Sequence, residues 1–290
     1  MQYHVDGDLV PEDEATVSVR DRGFMYGDAA FETLRVYGGA PFAWEAHHDR
    51  LHHTAETLGF ADAVPDDLRE RVDETLAAND LTDAYVKLSV SRGVQPGKLT
   101  PGSDVDPTVV VICRPLPRGG RDGGRVWDGP AEVQTVRTRR VPDDAVPADI
   151  KSHNYLNSIL GRLELRRSAV DGDPADECLL RDTDGNVAEG ATSNVFFVTE
   201  NGLRTPGEQL DLLPGVTRDV VVELAREESF PVETGTYSLD ALRSADEAFL
   251  TNSTWEIRPI ATVDGIDIGA GPMTKLLQRL YDERVEKRHY

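Results

Sequence analysis

Residues 149–157 read Asp149-Ile-Lys-Ser-His-Asn-Tyr-Leu-Asn157 and contain one of only five lysines in the chain. This lysine lies between a predicted strand and a predicted helix, among small and hydrogen-bonding residues, where a solvating surface charge is not expected. A partly buried lysine loses part of its preference for the charged form and becomes a nucleophilic amine that can form a Schiff base with an aldehyde. Lys151 is therefore a candidate nucleophile, and a water-facing lysine at a helix start is the alternative that this stretch leaves open.

Outward from this stretch, hydrophobic periodicity changes near residue 120 and predicts two domains. We predict an α+β fold with a small N-terminal domain over residues 1–117, a linker rich in proline and glycine at 118–124, and a larger C-terminal mixed domain over 125–290. Predicted strands are 1–5, 31–37, 85–91, 108–114, 131–138, 176–181, 187–198 and 247–252, and predicted helices are 45–58, 66–79, 154–169, 216–228 and 273–286.

The charge balance argues against nucleic acid as a partner. The chain has 52 acidic and 31 basic residues and a formal net charge of −21, whereas binding nucleic acid needs a basic footprint. Lysine is scarce, with five residues against 26 arginines, and acid-rich, lysine-poor surfaces suit concentrated salt, which screens self-repulsion. We therefore predict a salt-adapted, halophilic protein, and a merely acidic protein is the alternative.

Cysteine and histidine usage predicts neither a disulfide framework nor a metal site. Cys113 and Cys178 are far apart, and each lies in an apolar run. His47 and His48 are adjacent and lack the i, i+4 spacing of a metal pair. The first residues are polar, without a signal-peptide core, and no apolar run is long enough to span a bilayer. A cytoplasmic protein without membrane contact is expected.

A carboxylate and a helix start in the second half are candidate binding groups. Glu189 follows Val187 on a predicted strand, next to a glycine that allows close approach of another group. A carboxylate there can keep a pyridine nitrogen protonated, although Glu189 alone is equally an ordinary strand residue. The stretch Leu213-Pro-Gly-Val-Thr-Arg-Asp219 runs into a predicted helix, whose first amides and dipole can bind phosphate or simply receive an ordinary cap.

Two polar segments offer weaker signals for anion binding. Arg50 lies on a predicted amphipathic helix, and its guanidinium can bind phosphate through two hydrogen bonds. A surface arginine is the commoner explanation. The run Thr251-Asn-Ser-Thr254 follows a predicted strand and suits either phosphate or carboxylate contacts or a polar turn.

Taken together and in this order, these segments resemble the fold type IV pyridoxal phosphate enzymes, which include branched-chain aminotransferases, D-amino acid aminotransferases and aminodeoxychorismate lyases. The resemblance spans nearly the whole chain, and six groups in register identify the family, whereas any one of them is weak. The groups are Asp21-Arg-Gly-Phe-Met-Tyr-Gly-Asp28 with Phe31-Glu-Thr33, Arg50-Leu51, Lys151 with Asn154-Tyr-Leu-Asn157, Glu189-Gly190 with Asn194, Leu213-Pro-Gly-Val-Thr-Arg218, and Ala245-Asp-Glu-Ala-Phe-Leu250.

The resemblance implies pyridoxal 5'-phosphate as cofactor and a role for each matching residue. Lys151 would hold the cofactor covalently and move a proton between the substrate α-carbon and the cofactor. Glu189 would pair with the pyridine nitrogen, and Tyr155 would lie near the ring hydroxyl. The phosphate and the ring face would be contacted by Arg50, Leu213, Val216, Thr217 and Ser253. The resemblance also implies a homodimer whose active sites are completed by the neighbouring subunit.

The resemblance leaves the reaction open. Our first prediction is an aminotransferase acting on a small amino acid and a 2-oxo acid, and the alternative is aminodeoxychorismate lyase, which releases 4-aminobenzoate and pyruvate. A non-catalytic binding protein would require loss of Lys151 or Glu189, and both are present. Lys87 stands where branched-chain enzymes usually have an arginine, which weakens that assignment. The candidate substrate-binding residues are Phe31, Arg92, Lys98 and Thr254.

Overall fold

The computed structural model describes residues 1–118, 125–169, 172–207 and 209–290. These residues form two compact units. The first contains residues 1–118 with Ile150–Asn154 and Val285–Tyr290, and the second contains residues 125–149 and Tyr155–Arg284. Each unit combines a β-sheet with helices, so the predicted α+β class is confirmed.

The units differ from the predicted domain limits in two short segments. Ile150–Asn154 and Val285–Tyr290 pack with the first unit, although both lie within the predicted C-terminal domain of 125–290. For Ile150–Asn154 the reason is backbone pairing: the Phe31 N–H donates to the Lys151 carbonyl at 2.9 Å, and the His153 N–H donates to the Ala29 carbonyl at 3.0 Å. Of the predicted linker, residues 119–124 lie outside the described residues.

An antiparallel sheet of six strands forms the centre of the first unit. Its strands are β1 (Gln2–Val5), β2 (Asp8–Pro11), β3 (Ala29–Tyr37), β4 (Ala40–Pro41), β5 (Ala84–Ser91) and β6 (Thr108–Pro115). Their order across the sheet is β2-β1-β6-β5-β3-β4. The helices of this unit are α1 (Arg22–Tyr26), α2 (Trp44–Thr57) and α3 (Leu68–Ala77).

Helices α2 and α3 cover one face of this sheet. Leu51 of α2 and Leu68 of α3 are fully buried in one core with Leu34 and Val36 of β3. Apolar residues three to four positions apart give each helix the stripe that this packing requires. Because successive strand residues point to opposite faces, Phe31 lies on the face away from these helices. That second face carries the polar cluster described below.

The second unit contains a larger mixed sheet. Its strands are β7 (Ala131–Arg139), β8 (Glu177–Arg181), β9 (Val187–Gly190), β10 (Asn194–Thr199), β11 (Gly202–Pro206), β12 (Val232–Gly235), β13 (Glu247–Asn252), β14 (Glu256–Val263) and β15 (Ile266–Asp267). The order is β12-β11-β10-β13-β14-β7-β8-β9, with β15 paired to β14. The helices are α4 (Leu156–Ser168), α5 (Val216–Glu227), α6 (Leu239–Arg243) and α7 (Pro272–His289), the last of which ends in the first unit.

The strand predicted over 187–198 is wrong in one respect, because it is two strands. Strands β9 and β10 are separated by residues 191–193. The buried Glu177 carboxylate holds this turn, accepting hydrogen bonds from the Thr192 amide at 3.3 Å and the Ser193 hydroxyl at 3.1 Å. Across the turn the Gly190 N–H donates to the Ser193 carbonyl at 2.7 Å, which brings Glu189 and Asn194 close together although β9 and β10 do not pair in the sheet.

Helix α5 has one apolar and one polar face. In α5, Val221, Leu224 and Ala225 are buried, whereas Glu223 and Glu227 are not. Among the helices that the structure describes, none combines the length and the apolar character needed to cross a membrane.

Candidate active site

Lys151 lies in a short extended segment beside β3 of the first unit. Ser152 forms a bridge with Ala30, and the Lys151 N–H donates to the Thr54 hydroxyl of α2 at 3.0 Å. The backbone around Lys151 is therefore attached to both a strand and a helix. In an extended segment, side chains two positions apart point the same way, so Lys151 and His153 share one side.

The side chains of Lys151 and His153 both contact the aromatic ring of Phe31, and so does the side chain of Lys87. The Lys151 Nζ lies 4.7 Å and the Lys87 Nζ 4.8 Å from the centre of the Phe31 ring. The His153 ring meets it edge-on with centroids 5.3 Å apart, and its Nε2 lies 3.2 Å from the Ser89 hydroxyl. We call Phe31, Lys87, Ser89, Lys151 and His153 the Phe31 cluster.

The ionisation of the Phe31 cluster favours a negatively charged ligand group. Burial lowers the pKa of Lys87, and the nearby charge of Lys151 lowers it further. Burial lowers the pKa of His153 to about 4, and the charge of Lys87 acts in the same direction. His153 is therefore neutral at pH 7. An anion bound beside these two amines would offset the repulsion between them and favour the charged form of Lys87.

Arg50 is held by a buried carboxylate on the helix side of the same sheet. Its Nε and Nη2 donate to the two oxygens of Glu32 at 2.8 and 2.7 Å, and the His47 Nδ1 lies 2.7 Å from Glu32 Oε2. Burial raises the pKa of Glu32, but the charge of Arg50, with the hydrogen bonds to Arg50 and His47, outweighs it and lowers the pKa to about 2. Burial is also the largest effect on His47, whose pKa is lowered. The Glu32–Arg50 pair therefore fixes the guanidinium in one orientation.

Two of the candidate substrate-binding residues have other surroundings in the first unit. Arg92 is buried and donates from Nε to Asp28 at 2.8 Å, while its terminal nitrogens donate to the carbonyls of Leu58 and Gly59. These contacts favour a structural role for Arg92. Lys98 is exposed, and its carbonyl accepts a hydrogen bond from Arg22 at 2.6 Å. Phe31 alone of the predicted substrate residues of this unit lies in the Phe31 cluster.

Glu189 is a buried carboxylate at the end of β9 in the second unit. Its Oε2 accepts from the Leu213 amide at 3.1 Å and from the Asn194 side-chain amide at 3.5 Å. The Asn194 amide also donates to the Leu213 carbonyl at 2.9 Å. These contacts attach the loop that begins at Leu213 to the two strands on which Glu189 and Asn194 stand.

Arg140 is a functional candidate that the sequence did not reveal. Its Nε lies 2.9 Å from Glu189 Oε1 and donates to the Asp211 carbonyl at 2.8 Å, and its Nη1 lies 3.5 Å from Asn157 Oδ1. A guanidinium beside a buried carboxylate favours the ionised form of that carboxylate. Arg140 stands in a run of two arginines that ends a strand, so nothing local distinguishes it from Arg139.

The start of α5 fits a phosphate group. Gly215 is its N-cap residue and makes no side-chain cap, so the first turn of the helix directs its amides away from the chain. A Cβ at Gly215 would lie 2.0 Å from Asn194 Oδ1, which explains the glycine. Val216 and Thr217 follow it and are buried. The residues of the second unit thus pair an anion-binding helix start with a carboxylate suited to a protonated pyridine nitrogen, and both fit pyridoxal phosphate.

The remaining predicted site residues of the second unit lie next to the end of a helix or a strand. Tyr155 is the N-cap residue of α4. Ser253 and Thr254 lie in the turn after β13, in which the Asn252 side-chain oxygen accepts hydrogen bonds from the Thr254 and Trp255 amides. Within the described residues there is no group of three or more His, Cys, Asp or Glu side chains that could hold a metal ion.

The chain is similar to known proteins over nearly its whole length. The family profile described as Amino-transferase class IV matches residues 29–263. A Methanocaldococcus jannaschii protein provisionally named a branched-chain-amino-acid aminotransferase is 38% identical, covering 98% of this chain and 96% of that protein. The aminodeoxychorismate lyase of Bacillus subtilis is 33% identical, covering 98% and 94%. The crystal structure of the branched-chain aminotransferase from Thermoproteus uzoniensis with norvaline has a TM-score of 0.88 and 28% identity, covering 99% and 95%.

Proposed function

This chain belongs to the class IV aminotransferase family, whose cofactor is pyridoxal 5'-phosphate, and we propose that it moves an amino group between a small amino acid and a 2-oxo acid. The observation that carries this proposal is the Phe31 cluster, in which the amine of Lys151 shares one aromatic ring with a second amine, Lys87. Amino acids and 2-oxo acids always present a carboxylate, which is the group that such a cluster attracts.

The chemistry of the proposed reaction divides between the cofactor and the chain. Pyridoxal phosphate supplies an electron sink that stabilises negative charge at the substrate α-carbon. We assign Lys151 as the amine that attaches the cofactor and then carries the proton to and from that carbon. Glu189, paired with Arg140, would face the pyridine nitrogen, and Tyr155 would lie near the ring hydroxyl. Contacts to the phosphate and the ring are assigned to Arg50, Leu213, Val216, Thr217 and Ser253.

The Phe31 cluster also suggests a preference among substrates. Lys87 has a side chain that ends beside Phe31, and Ser89 and His153 add a hydroxyl and a neutral imidazole there. We propose that a donor or acceptor with a second carboxylate, such as glutamate or 2-oxoglutarate, is held by Lys87. Replacing Lys87 by methionine should then raise KM for glutamate more than KM for leucine.

Glu189 is expected to be needed for the chemistry and not for holding the cofactor. Glu189→Gln keeps the size and the hydrogen bonds from Leu213 and Asn194 but removes the charge, so the pyridine nitrogen loses its proton. We expect bound cofactor at wild-type stoichiometry and a fall in kcat of roughly 10²-fold or more. Absorbance measures the amount of bound cofactor, and single-turnover kinetics measure the rate of the chemical step. An unchanged kcat would remove the role assigned to Glu189.

The proposed transamination is tested most directly by its half-reaction. Holoenzyme is mixed with L-glutamate, L-leucine or D-alanine, one at a time and without an acceptor, and the cofactor absorbance is recorded. Stoichiometric conversion of the cofactor from its aldehyde to its amine form by any donor would establish transamination and its handedness. If every donor leaves the absorbance unchanged, the transaminase proposal fails.

Aminodeoxychorismate lyase is the second candidate, favoured by the 33% identity to the Bacillus subtilis lyase over 98% of the chain. Its substrate is also an anion and would suit the Phe31 cluster. Release of 4-aminobenzoate and pyruvate from aminodeoxychorismate by an enzyme that is inert in the half-reaction would establish this alternative.

We also propose that the protein is a homodimer. Apolar side chains of the first unit are exposed around α1 and the 94–99 loop, among them Phe24 at 69% and Leu99 at 81%. The Met25 side chain lies against Gly97, which places these two segments together. A contiguous exposed apolar surface is typical of an interaction site. Light scattering that gives the mass of a monomer at micromolar concentration would contradict the proposal.

Salt adaptation is proposed from the charge of −21 and the shortage of lysine. Raising KCl from 0.15 M to 1 M shortens the screening length from about 8 Å to about 3 Å, which weakens repulsion among the acidic side chains. We expect the melting temperature to rise by at least about 4 °C, corresponding to roughly 1–2 kcal/mol for a chain of this size. A melting temperature that stays constant or falls as KCl is added would contradict salt adaptation and show that the protein is merely acidic.

A further inference from the structure

A row of aromatic side chains lies along the outer face of α2, separate from the residues that the proposed reaction uses. Trp44, His48 and His52 occur four residues apart, so they form one stripe along the helix. The Trp44 and His48 rings stack with centroids 5.7 Å apart, and the His48 and His52 rings meet at 61° with centroids 4.5 Å apart. Both histidines are half-buried and in reach of solvent.

The two imidazoles are arranged as a chelating pair. Histidines at i and i+4 of a helix project from one face in successive turns, the spacing with which helices present two nitrogens to one cation. The rings lie close together, with centroids 4.5 Å apart, so that one cation could be reached by a nitrogen of each at about 2.0–2.1 Å once the side chains turn toward it. Stacking on Trp44 restricts the rotation of His48, so less side-chain entropy is lost on binding.

The histidines also have electrostatic surroundings that favour a cation. Asp49 and Asp66 interact electrostatically with His52. The same two carboxylates and the net charge of −21 attract cations to this part of the chain. Imidazole selects zinc, nickel or copper over magnesium and calcium, which prefer oxygen ligands.

We propose that His48 and His52 form an exchangeable site for a divalent transition-metal cation, with water completing the coordination. The sequence prediction of no metal considered His47 and His48, which are adjacent; the pair with the required spacing is His48 and His52. Because α2 carries His47 and Arg50 on its other face, a cation that links two turns of α2 would also stabilise the helix that orients Arg50.

The test is titration of untagged holoenzyme with NiCl₂ and, separately, ZnCl₂ by isothermal calorimetry, compared with MgCl₂. The variants are His48→Asn, His52→Asn and, as matched control, His53→Asn, an exposed histidine on the same helix. Cofactor and substrate residues are unchanged in all three, so metal binding elsewhere contributes equally. Cofactor absorbance confirms that each variant is folded.

We expect one nickel or zinc site in the wild-type protein and in His53→Asn. In His48→Asn and His52→Asn the affinity should fall by about 10²-fold, the lower end of the advantage that two linked binding groups have over one. Equal affinity in all four proteins, a loss confined to His53→Asn, or binding of magnesium as tight as nickel would each overturn the proposal.

Discussion

Replacing Lys151 by alanine is expected to abolish the visible absorbance band of the bound cofactor and to lower turnover by at least about 10⁴-fold, the upper end of what a positioned acid–base group contributes. The physical reason is the proposed double role of this one amine, which is to attach the cofactor and to carry the proton at the α-carbon. The backbone of this segment pairs with β3 through main-chain hydrogen bonds, which alanine retains, so the variant should fold.

Lys275→Ala is the matched control, because Lys275 is one of the few other lysines and is exposed on α7. Its spectrum and turnover should equal those of the wild type. Borohydride reduction followed by peptide mass spectrometry gives a second readout, and the cofactor mass should be found on the peptide that contains Lys151. A cofactor mass on another lysine, or a visible band that survives in Lys151→Ala, would disprove the assignment.

Arg50→Met is expected to destabilise the protein by about 3–5 kcal/mol, because it removes the guanidinium that neutralises the buried Glu32 carboxylate and leaves only the contact with His47. Methionine fills much of the volume of arginine, so the loss reports on charge more than on packing. His47 already contacts Glu32 through one nitrogen and cannot supply the two hydrogen bonds of the guanidinium. Urea unfolding at pH 7 measures the effect.

The double variant Glu32→Gln/Arg50→Met is the control for this interpretation. Removing both partners of a buried ion pair is often close to neutral, so the double variant should recover most of the lost stability. A double variant as unstable as Arg50→Met would show that the loss is due to packing. If Arg50 also contacts the cofactor phosphate, the double variant will be stable and still bind cofactor weakly, which separates the two roles.

The pH dependence of stability provides an independent check on Glu32. Its pKa in the folded protein is about 2, below the ordinary value of 4.5, so its contribution to stability is present above about pH 4.5 and is lost as the pH falls toward 2. In Arg50→Met the buried carboxylate takes up a proton more readily. The stability difference between wild type and Arg50→Met should therefore shrink as the pH is lowered.

The sequence predicted elements whose hydrophobic pattern is strong and local. Helix α2 was expected over 45–58 and spans Trp44–Thr57, and β13 was expected over 247–252 and spans Glu247–Asn252. The break between β9 and β10 was missed, because the apolar residues before and after 191–193 resemble one continuous strand and the turn is held by Glu177, which is distant along the chain. Short strands such as β4 and β12 were missed because two to four residues are too few to show a hydrophobic alternation.

The sequence alone determined the family, the cofactor and the identity of the candidate nucleophile, because these depend on residue types at fixed positions along the chain. Only the tertiary structure decided which side chains meet. Lys87 and Lys151 are brought to one Phe31 ring by strand pairing, and Arg140 is brought to Glu189 by the sheet of the second unit. Such contacts depend on register and packing between distant segments, which no local pattern encodes. Charge neighbours, and with them the protonation of each group, therefore become known only when the chain is folded.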